Sequence, residues 1–210
     1  MTDGAKLNLS DKELELVCNS DWIFTKHKII SKVYQLLGNA SLHMQQAAKD
    51  AIDNLPAECF LHQPKIYKGE NYRLLPYVML DYPRYFLKED AIAIRTLFWW
   101  GNFFSLTLHI SGDFKTGMEA GVISAFKWLK ALEYWICVNE EQWEHHFEKD
   151  NYKALQYLSA EEFEKIISSK KFLKLAKKIP LQQWDAAEIF IEKSFDEMLI
   201  LAQSYQAPSL

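Results

Sequence analysis

The sequence predicts an α+β fold that is mainly helical, with a short antiparallel sheet packed among long amphipathic helices. Apolar residues recur at three- and four-residue steps over residues 11–55 and 117–205, and they form strand-like runs over about residues 72–111. Helices, then a three-stranded meander, then helices is an order typical of α+β proteins, whereas a doubly wound sheet alternates strand and helix. No linker or low-complexity stretch interrupts the chain, so we expect a single domain over residues 1–210.

The N-terminal helices follow from capping and periodicity. Ser10 and Glu13 have the spacing of a capping box, which predicts a short first helix. From Trp22 to Leu55 the apolar positions keep helical spacing, and Pro56 ends that helix.

The β segment is predicted as three strands, over residues 72–81, 91–100 and 103–111. Pro76 places the first strand at an edge of the sheet, because proline cannot donate a ladder hydrogen bond. Residues 81–84 and the pair Gly101-Asn102 are turn signals, and the second is typical of a two-residue hairpin.

That hairpin fixes an expected register. With a two-residue turn Trp100 lies opposite Phe103, and Arg95 and His109 point to opposite faces. The face that carries Arg95 is otherwise nearly all apolar, so we expect it to pack on helices. A register slip of one residue would exchange the two faces.

Helical periodicity returns after Gly117 and predicts three further helices. The first ends near Phe147, the second begins at the capping pair Ser159 and Glu162, and the third begins at Pro180.

Two polar groups fall on these predicted helices. His145 and His146 are expected to be solvated at a helix end, with a surface metal ion on Glu141 and His145 as the alternative. The lysine-rich run is expected to form a solvated helix face, with an anionic partner as the alternative. Its members are Lys170, Lys171, Lys174, Lys177 and Lys178.

Arginine is confined to the β segment. The chain has 21 Lys but only three Arg, at positions 73, 84 and 95. Lysine suits a solvated surface, whereas the planar guanidinium group of arginine binds carboxylates, rings and anions in a defined geometry. The segregation therefore predicts that this region uses its cations to hold something planar or negatively charged.

Arg95 is the clearest case, because a charge on a core-facing strand position requires a partner. Asp81 is the nearest candidate carboxylate, which predicts a structural ion pair. The alternative is a pocket for a small anionic or aromatic ligand, lined by arginine and tyrosine. The candidate ligand-binding residues are Arg73, Arg84, Arg95, Asp81, Tyr77, Tyr82 and His109.

Large aromatic side chains flank the predicted hairpin turn at residues 99–104. If the tip is exposed, Trp99, Trp100 and Phe103 form an interaction patch, and a homodimer is one possible use for it. If helices cover the tip, these residues belong to the core.

Several classes of function are excluded by composition and motif. A net charge of −4 argues against a nucleic-acid partner. Phosphate-binding loops, a nucleophile elbow and the Glu-x-x-His di-iron pattern are absent. Three widely spaced cysteines describe neither a disulfide framework nor a zinc site, so we expect no metal and no cofactor.

The sequence also predicts a cytoplasmic protein with no membrane association. Residues 1–10 lack the apolar core of a signal peptide, and polar residues interrupt the most apolar stretch, residues 91–110.

Three hypotheses for function follow. The first is a non-catalytic protein that binds a small anionic or aromatic ligand at the Arg/Tyr region. The second is an interaction or scaffold protein that uses the aromatic hairpin. The third is an enzyme with a dispersed site of Asp81, His109 and an arginine, although the predicted register separates Arg95 from His109.

Overall fold

A seven-stranded antiparallel sheet forms the centre of the structure, which is a computed structural model that describes residues 7–49 and 55–206. The prediction of a three-stranded meander in a mainly helical fold is therefore wrong. The strands are β1 (Lys65–Tyr72), β2 (Leu75–Phe86), β3 (Ala91–Trp99), β4 (Phe103–Ser111), β5 (Trp135–Cys137), β6 (Tyr152–Ala154) and β7 (Phe172–Pro180). Their order across the sheet is β1-β2-β3-β4-β7-β5-β6.

The described residues also form six α-helices. They are α1 (Asp11–Cys18), α2 (Ser20–Lys49), α3 (Gly112–Ser124), α4 (Phe126–Ala131), α5 (Ala160–Ser169) and α6 (Ala187–Ala202). Short 3₁₀ turns cover Ala57–Phe60, Leu155–Tyr157 and Leu181–Ala186. None of the helices in the described part of the chain is long and apolar enough to cross a membrane.

The capping boxes predicted at Ser10 and Ser159 are both present. In each, the serine hydroxyl accepts from the backbone N–H of a glutamate three residues later, and that glutamate accepts from the serine N–H. The predicted end of the long N-terminal helix, residues 50–54, lies outside the described residues.

The β3–β4 hairpin differs from the prediction by one residue. Trp99, not Trp100, pairs with Phe103, because the turn contains three residues rather than two. Gly101 adopts φ +74°, and the Asn102 N–H donates to the Trp99 carbonyl at 3.0 Å. Because side chains alternate between faces along a strand, this shift of one residue pairs Arg95 with Thr107 and places Arg95 on the same face as His109.

Strand β7 replaces a predicted helix. Its apolar residues fit a helical period. They also include adjacent pairs, Phe172-Leu173 and Leu175-Ala176, whose members point to opposite faces of a strand, which suits a strand covered on both faces. The strand pairs along its full length with β4. The prediction of a solvated lysine face is wrong for Lys174, which is buried.

Strands β1, β5 and β6 were also not predicted. Strand β1 lies in a stretch expected to be irregular, and it forms the edge beside β2. Strands β5 and β6 occupy the predicted helix after Gly117 and the stretch that follows it. Each has three residues, too few to show a period in the sequence.

The two faces of the sheet have different coverings. On the first face, Ile94, Phe98, Leu106 and their neighbours pack with α2, α3, α5 and α6 in the main hydrophobic core. The second face carries Arg95 and His109 and is covered by the irregular chain between β5 and β6, residues 138–151, which we call the cover segment.

Candidate functional site

The second face of the sheet carries an unusual set of buried ionisable side chains, which we call the polar cluster. Asp81, Arg95, His109, Tyr152 and Lys174 are its buried members, and the half-buried His145 completes it. His145 belongs to the cover segment, and the other five lie on strands of the sheet. The sequence analysis named Asp81, Arg95 and His109 as candidate ligand-binding residues, whereas it expected His145 and Lys174 on solvated helix surfaces and did not single out Tyr152.

Asp81 and Arg95 form a two-pronged ion pair. Nε of Arg95 donates to Oδ1 of Asp81 at 2.7 Å, and Nη2 donates to Oδ2 at 2.8 Å. The two residues pair across β2 and β3, just before an irregularity in β2. Burial alone would lower the pKa of Arg95, but the hydrogen bonds and the charge of Asp81 outweigh it and raise that pKa. This geometry is the structural ion pair that the sequence predicted.

His109 is buried as a neutral ring, and His145 beside it is half-buried. Burial lowers the pKa of His109 to about 3, and the positive charges of Lys174 and Arg95 act in the same direction. Burial and the same two cations hold the pKa of His145 well below its usual value. Nε2 of His109 lies 3.0 Å from the side-chain oxygen of Gln142. The expectation that His145 and His146 are solvated at a helix end is wrong, because no helix forms there and the His146 side chain is buried.

Lys174 is the buried anchor of the cover segment. Its ammonium group donates to the backbone carbonyls of Gln142, at 3.0 Å, and of Glu144. It also lies 5.4 Å from the ring centre of Tyr152. Burial lowers the pKa of Lys174 to about 8. The Tyr152 hydroxyl is buried and has no hydrogen-bond partner among the described residues.

Arg73 also binds carboxylates of the cover segment. It lies at the β1–β2 turn, with Nη1 3.3 Å from Glu148 and Nε 3.6 Å from Glu144. Beside it, the Tyr72 hydroxyl accepts from the N–H groups of His145 and His146 and donates to Glu144. The β1–β2 turn therefore holds one end of the cover segment.

The remaining candidate ligand residues are dispersed. Arg84 follows the irregularity in β2, and its Nε is buried without a hydrogen-bond partner among the described residues. Tyr77 packs with Trp99 on the second face, whereas Tyr82 lies in the main core on the first. The seven predicted residues therefore do not form one pocket.

The aromatic hairpin belongs to the core. Trp99 and Phe103 are buried on the second face, where the ring of Phe103 lies 5.1 Å from that of Phe147. Trp100 is half-buried and contacts Trp22 edge to face at 6.0 Å. Little of Trp99 or Phe103 is left for a partner, and the interaction hypothesis remains a prediction.

A cleft of about 830 Å³ opens beside the polar cluster. Four segments line it: residues 86–91, 111–116, 140–143 and 169–172. Its charged side chains are Lys88, Glu89, Lys115, Glu140, Lys170 and Lys171. Four lysines and two glutamates line the cleft, which we call the cationic cleft for this excess of lysine, although the whole chain has a net charge of −4.

Two of the four lysines in this cleft are available to a ligand. Lys115 pairs with Glu119, and Lys170 pairs with Glu140. Lys88 and Lys171 are exposed and form no ion pair with any described residue. The sequence analysis named Lys171 in the lysine-rich run, with an anionic partner as the alternative, but it missed Lys88, because a single surface lysine carries no local signal of a site.

Aromatic rings form an apolar part of the cleft. Trp143 and Phe86 are partly exposed, with ring centres 6.2 Å apart. The Trp143 ring also lies 5.2 Å from that of His109 and 5.9 Å from the guanidinium carbon of Arg95. Trp143 is therefore a wall between the cleft and the polar cluster.

Gly112 allows the cleft to form at the start of α3. It adopts φ +57°, and a Cβ atom there would lie 1.9 Å from the Asp90 carboxylate. That carboxylate accepts from the Asp113 N–H at 2.8 Å. Ser111 meanwhile donates its hydroxyl to the Glu89 carbonyl.

One group of side chains in the described chain has the spacing of metal ligands. Ligand atoms of His146, Glu148 and Asp150 lie within 4.8 Å of one another. Arg73 lies 3.3 Å from the Glu148 carboxylate and already balances part of its charge. This group shares no residue with the alternative metal site, Glu141 and His145, that the sequence offered.

The corrected register bears on the enzyme hypothesis. Arg95 and His109 lie on the same face, so the separation expected from the predicted register is wrong. The cover segment nevertheless shields both from solvent. The enzyme hypothesis remains a prediction.

Comparison with known proteins identifies no relative. No family model matches the chain, and no curated protein or solved structure matches it.

Proposed function

We propose that this chain binds a small anionic ligand with an aromatic ring, and that the cationic cleft, not the arginines, is the binding site. The observation that carries the proposal is the excess of lysine in the cleft, where Lys88 and Lys171 have no carboxylate partner among the described residues. An excess of positive charge in a cleft concentrates anions.

The arginines are poorly suited to this task. Arg95 already donates two hydrogen bonds to Asp81, and Arg73 is shared between two carboxylates. A ligand anion would have to displace these partners, which are already held in the fold. Lys88 and Lys171 need no such displacement, because they have no carboxylate partner among the described residues.

The aromatic rings define the other half of the ligand. Binding sites commonly combine an apolar surface with a few polar groups that fix orientation. Trp143 and Phe86 offer that surface at the edge of the cleft. A planar ring would stack there while its anionic group reaches Lys88 or Lys171.

The test is calorimetric titration of the full chain with benzoate, salicylate and naphthalene sulfonate. Benzamide is the uncharged control ligand, and inorganic phosphate is the control anion without a ring. We expect at least one aromatic anion to bind with more than tenfold higher affinity than either control.

Variants then locate the site. Lys88→Ala together with Lys171→Ala should weaken binding about fivefold or more, since each exposed charge contributes up to about 1 kcal/mol. Lys165→Ala removes an exposed lysine of α5 outside the cleft and should leave affinity unchanged. Trp143→Leu should weaken binding of the ring.

Two results would overturn the proposal. One is the absence of heat and of thermal stabilisation with every aromatic anion. The other is binding that the Lys88 and Lys171 variants leave intact.

A further inference from the structure

The N-terminal part of the described chain is an arm that packs against almost nothing. Helix α1 has no buried residue, and in α2 the first buried residue is Ile30. Residues 7–28 touch the rest of the chain mainly through Trp22 on Trp100 and through an ion pair of Lys26 with Glu70. We call residues 7–28 the arm.

This arm is rich in exposed apolar side chains. Of the 18 large hydrophobic side chains that are exposed in the described residues, eight lie between residues 7 and 24. They are Leu7, Leu9, Leu14, Leu16, Val17, Trp22, Ile23 and Phe24. Such a concentration marks an interaction surface, whereas single exposed residues elsewhere need no explanation.

Helix α1 cannot be stable by local interactions alone. It has eight residues, and isolated helices shorter than about 12 residues are marginal in water. Its capping box satisfies the first N–H groups but buries no apolar surface. A partner that covers its apolar side chains would supply the missing stability.

We propose that the partner is a second copy of this chain, with the arms of two copies packed antiparallel around a two-fold axis. The charges of the arm are complementary to themselves. Helix α1 carries Asp11, Glu13 and Glu15 with one lysine, Lys12, whereas the start of α2 carries one aspartate, Asp21, with the exposed Lys28 and Lys32. In an antiparallel pair, α1 of one copy lies along the start of α2 of the other, and the acid–base contact forms twice.

The area of the arm suits a weak dimer. Successive helix positions point about 100° apart, so only about half of the eight apolar side chains can face one partner. At roughly 100 Å² for each side chain, they would bury roughly 400 Å² of apolar surface per copy, at the low end of specific interfaces. The long helix continues the arm directly into the main core, where Ile30 and Val33 are buried. The dimer would therefore be rigidly attached to the rest of the fold.

The experiment begins with the mass of the full chain by light scattering, from about 1 to 100 µM. A dimer has twice the 24.6 kDa of the chain. Phe24→Ser should raise the dimer dissociation constant at least tenfold, because it removes apolar area at the interface. Ile200→Ser, which changes an exposed residue of α6, is the matched control and should leave it unchanged.

A charge-swap mixing experiment tests the proposed partner directly. Glu15→Lys alone and Lys28→Glu alone should each weaken self-association, because like charges meet twice in each homodimer. A mixture of the two variants should restore association, since both contacts are then between opposite charges. Cys18 is the one exposed cysteine of the three, so it can carry donor and acceptor dyes for energy transfer.

The possible results separate clearly. A twofold mass together with stronger energy transfer in the mixture supports the antiparallel dimer. A monomeric mass at every concentration overturns it, as does a dimer that Phe24→Ser leaves intact. Equal energy transfer in the mixed and unmixed variants overturns the proposed pairing of α1 with α2.

Discussion

Asp81→Asn is the substitution that tests the buried ion pair most directly. The asparagine side chain has the same shape as aspartate, so the change removes the negative charge without creating a cavity. Arg95 would then keep its charge at a site where only 11% of its side chain is exposed. Removing one partner of a buried pair costs about 3–5 kcal/mol, mostly because the remaining charge is uncompensated.

The magnitude can be read in two assays. In urea, the free energy of unfolding at pH 7.5 should fall by about 3–5 kcal/mol with an unchanged dependence on denaturant. In a thermal scan, the same change corresponds to a decrease of roughly 6–20 °C for a chain of this size.

A matched control is available at the other arginine pair. Glu148→Gln breaks the contact with Arg73. The side chain of Arg73 is 39% exposed and that of Glu148 is 67% exposed, and such exposed pairs contribute less than about 1 kcal/mol. The double variant Asp81→Leu with Arg95→Met removes both charges and should lie within about 1 kcal/mol of the unaltered chain.

A small effect would refute the reasoning. If Asp81→Asn costs less than about 1 kcal/mol, as the Glu148 control does, then Arg95 is not sealed beneath the cover segment. The same conclusion follows if the double variant is as unstable as the single one, because the cost would then not come from the unpaired charge.

Two further predictions concern the rest of the polar cluster. His109 has a folded-state pKa of about 3, below the ordinary value of 6.5, so its contribution to stability is complete above pH 6.5 and is lost as the pH falls toward 3. The free energy of unfolding in urea should therefore fall by about 2 kcal/mol between pH 7.5 and pH 5 because of this residue. His109→Gln should abolish this part of the pH dependence, whereas His62→Gln, at an exposed position, should not. Lys174→Met removes both hydrogen bonds to the cover segment, so hydrogen exchange at the amides of His145 and His146 should accelerate about tenfold or more, whereas unchanged exchange would show that Lys174 does not anchor them.

The sequence predicted the β3–β4 hairpin well because both strands are continuous runs rich in β-branched and aromatic residues. It could not fix the turn length, since Gly101-Asn102 suits a two-residue turn and Gly101 also suits a three-residue one. The length of the turn decides whether Arg95 and His109 lie on the same face of the sheet or on opposite faces. Register is a property of the paired strands and their burial, not of the turn sequence alone.

The burial of Lys174 was not predictable from the strand that carries it. Strand β7 carries three lysines, Lys174, Lys177 and Lys178, and a lysine is almost never fully buried. Its hydrogen-bond acceptors are backbone carbonyls of the cover segment, about 30 residues earlier in the chain. Such acceptors have no signature in the sequence, because every residue has a carbonyl group.

The arginine segregation was informative for a reason that differs from the ligand hypothesis. Arg95 and Arg73 both bind carboxylates of their own chain, and those of Arg73 belong to the cover segment. The cover segment lacks regular secondary structure, so it depends on side chains of the sheet for its position. Guanidinium groups provide that positioning because of their fixed geometry.

The polar cluster and the cleft are therefore one structural unit. Gln142 and Trp143 line the cleft on one side, and on the other they contact His109 and Arg95. A segment without regular secondary structure would be mobile if it were held by apolar contacts alone, because such contacts have no direction. Hydrogen bonds from buried groups do have direction, and they hold Trp143 where a ligand ring would stack. These hydrogen bonds give the cleft a wall of defined shape, as the proposed site for a small planar ligand requires.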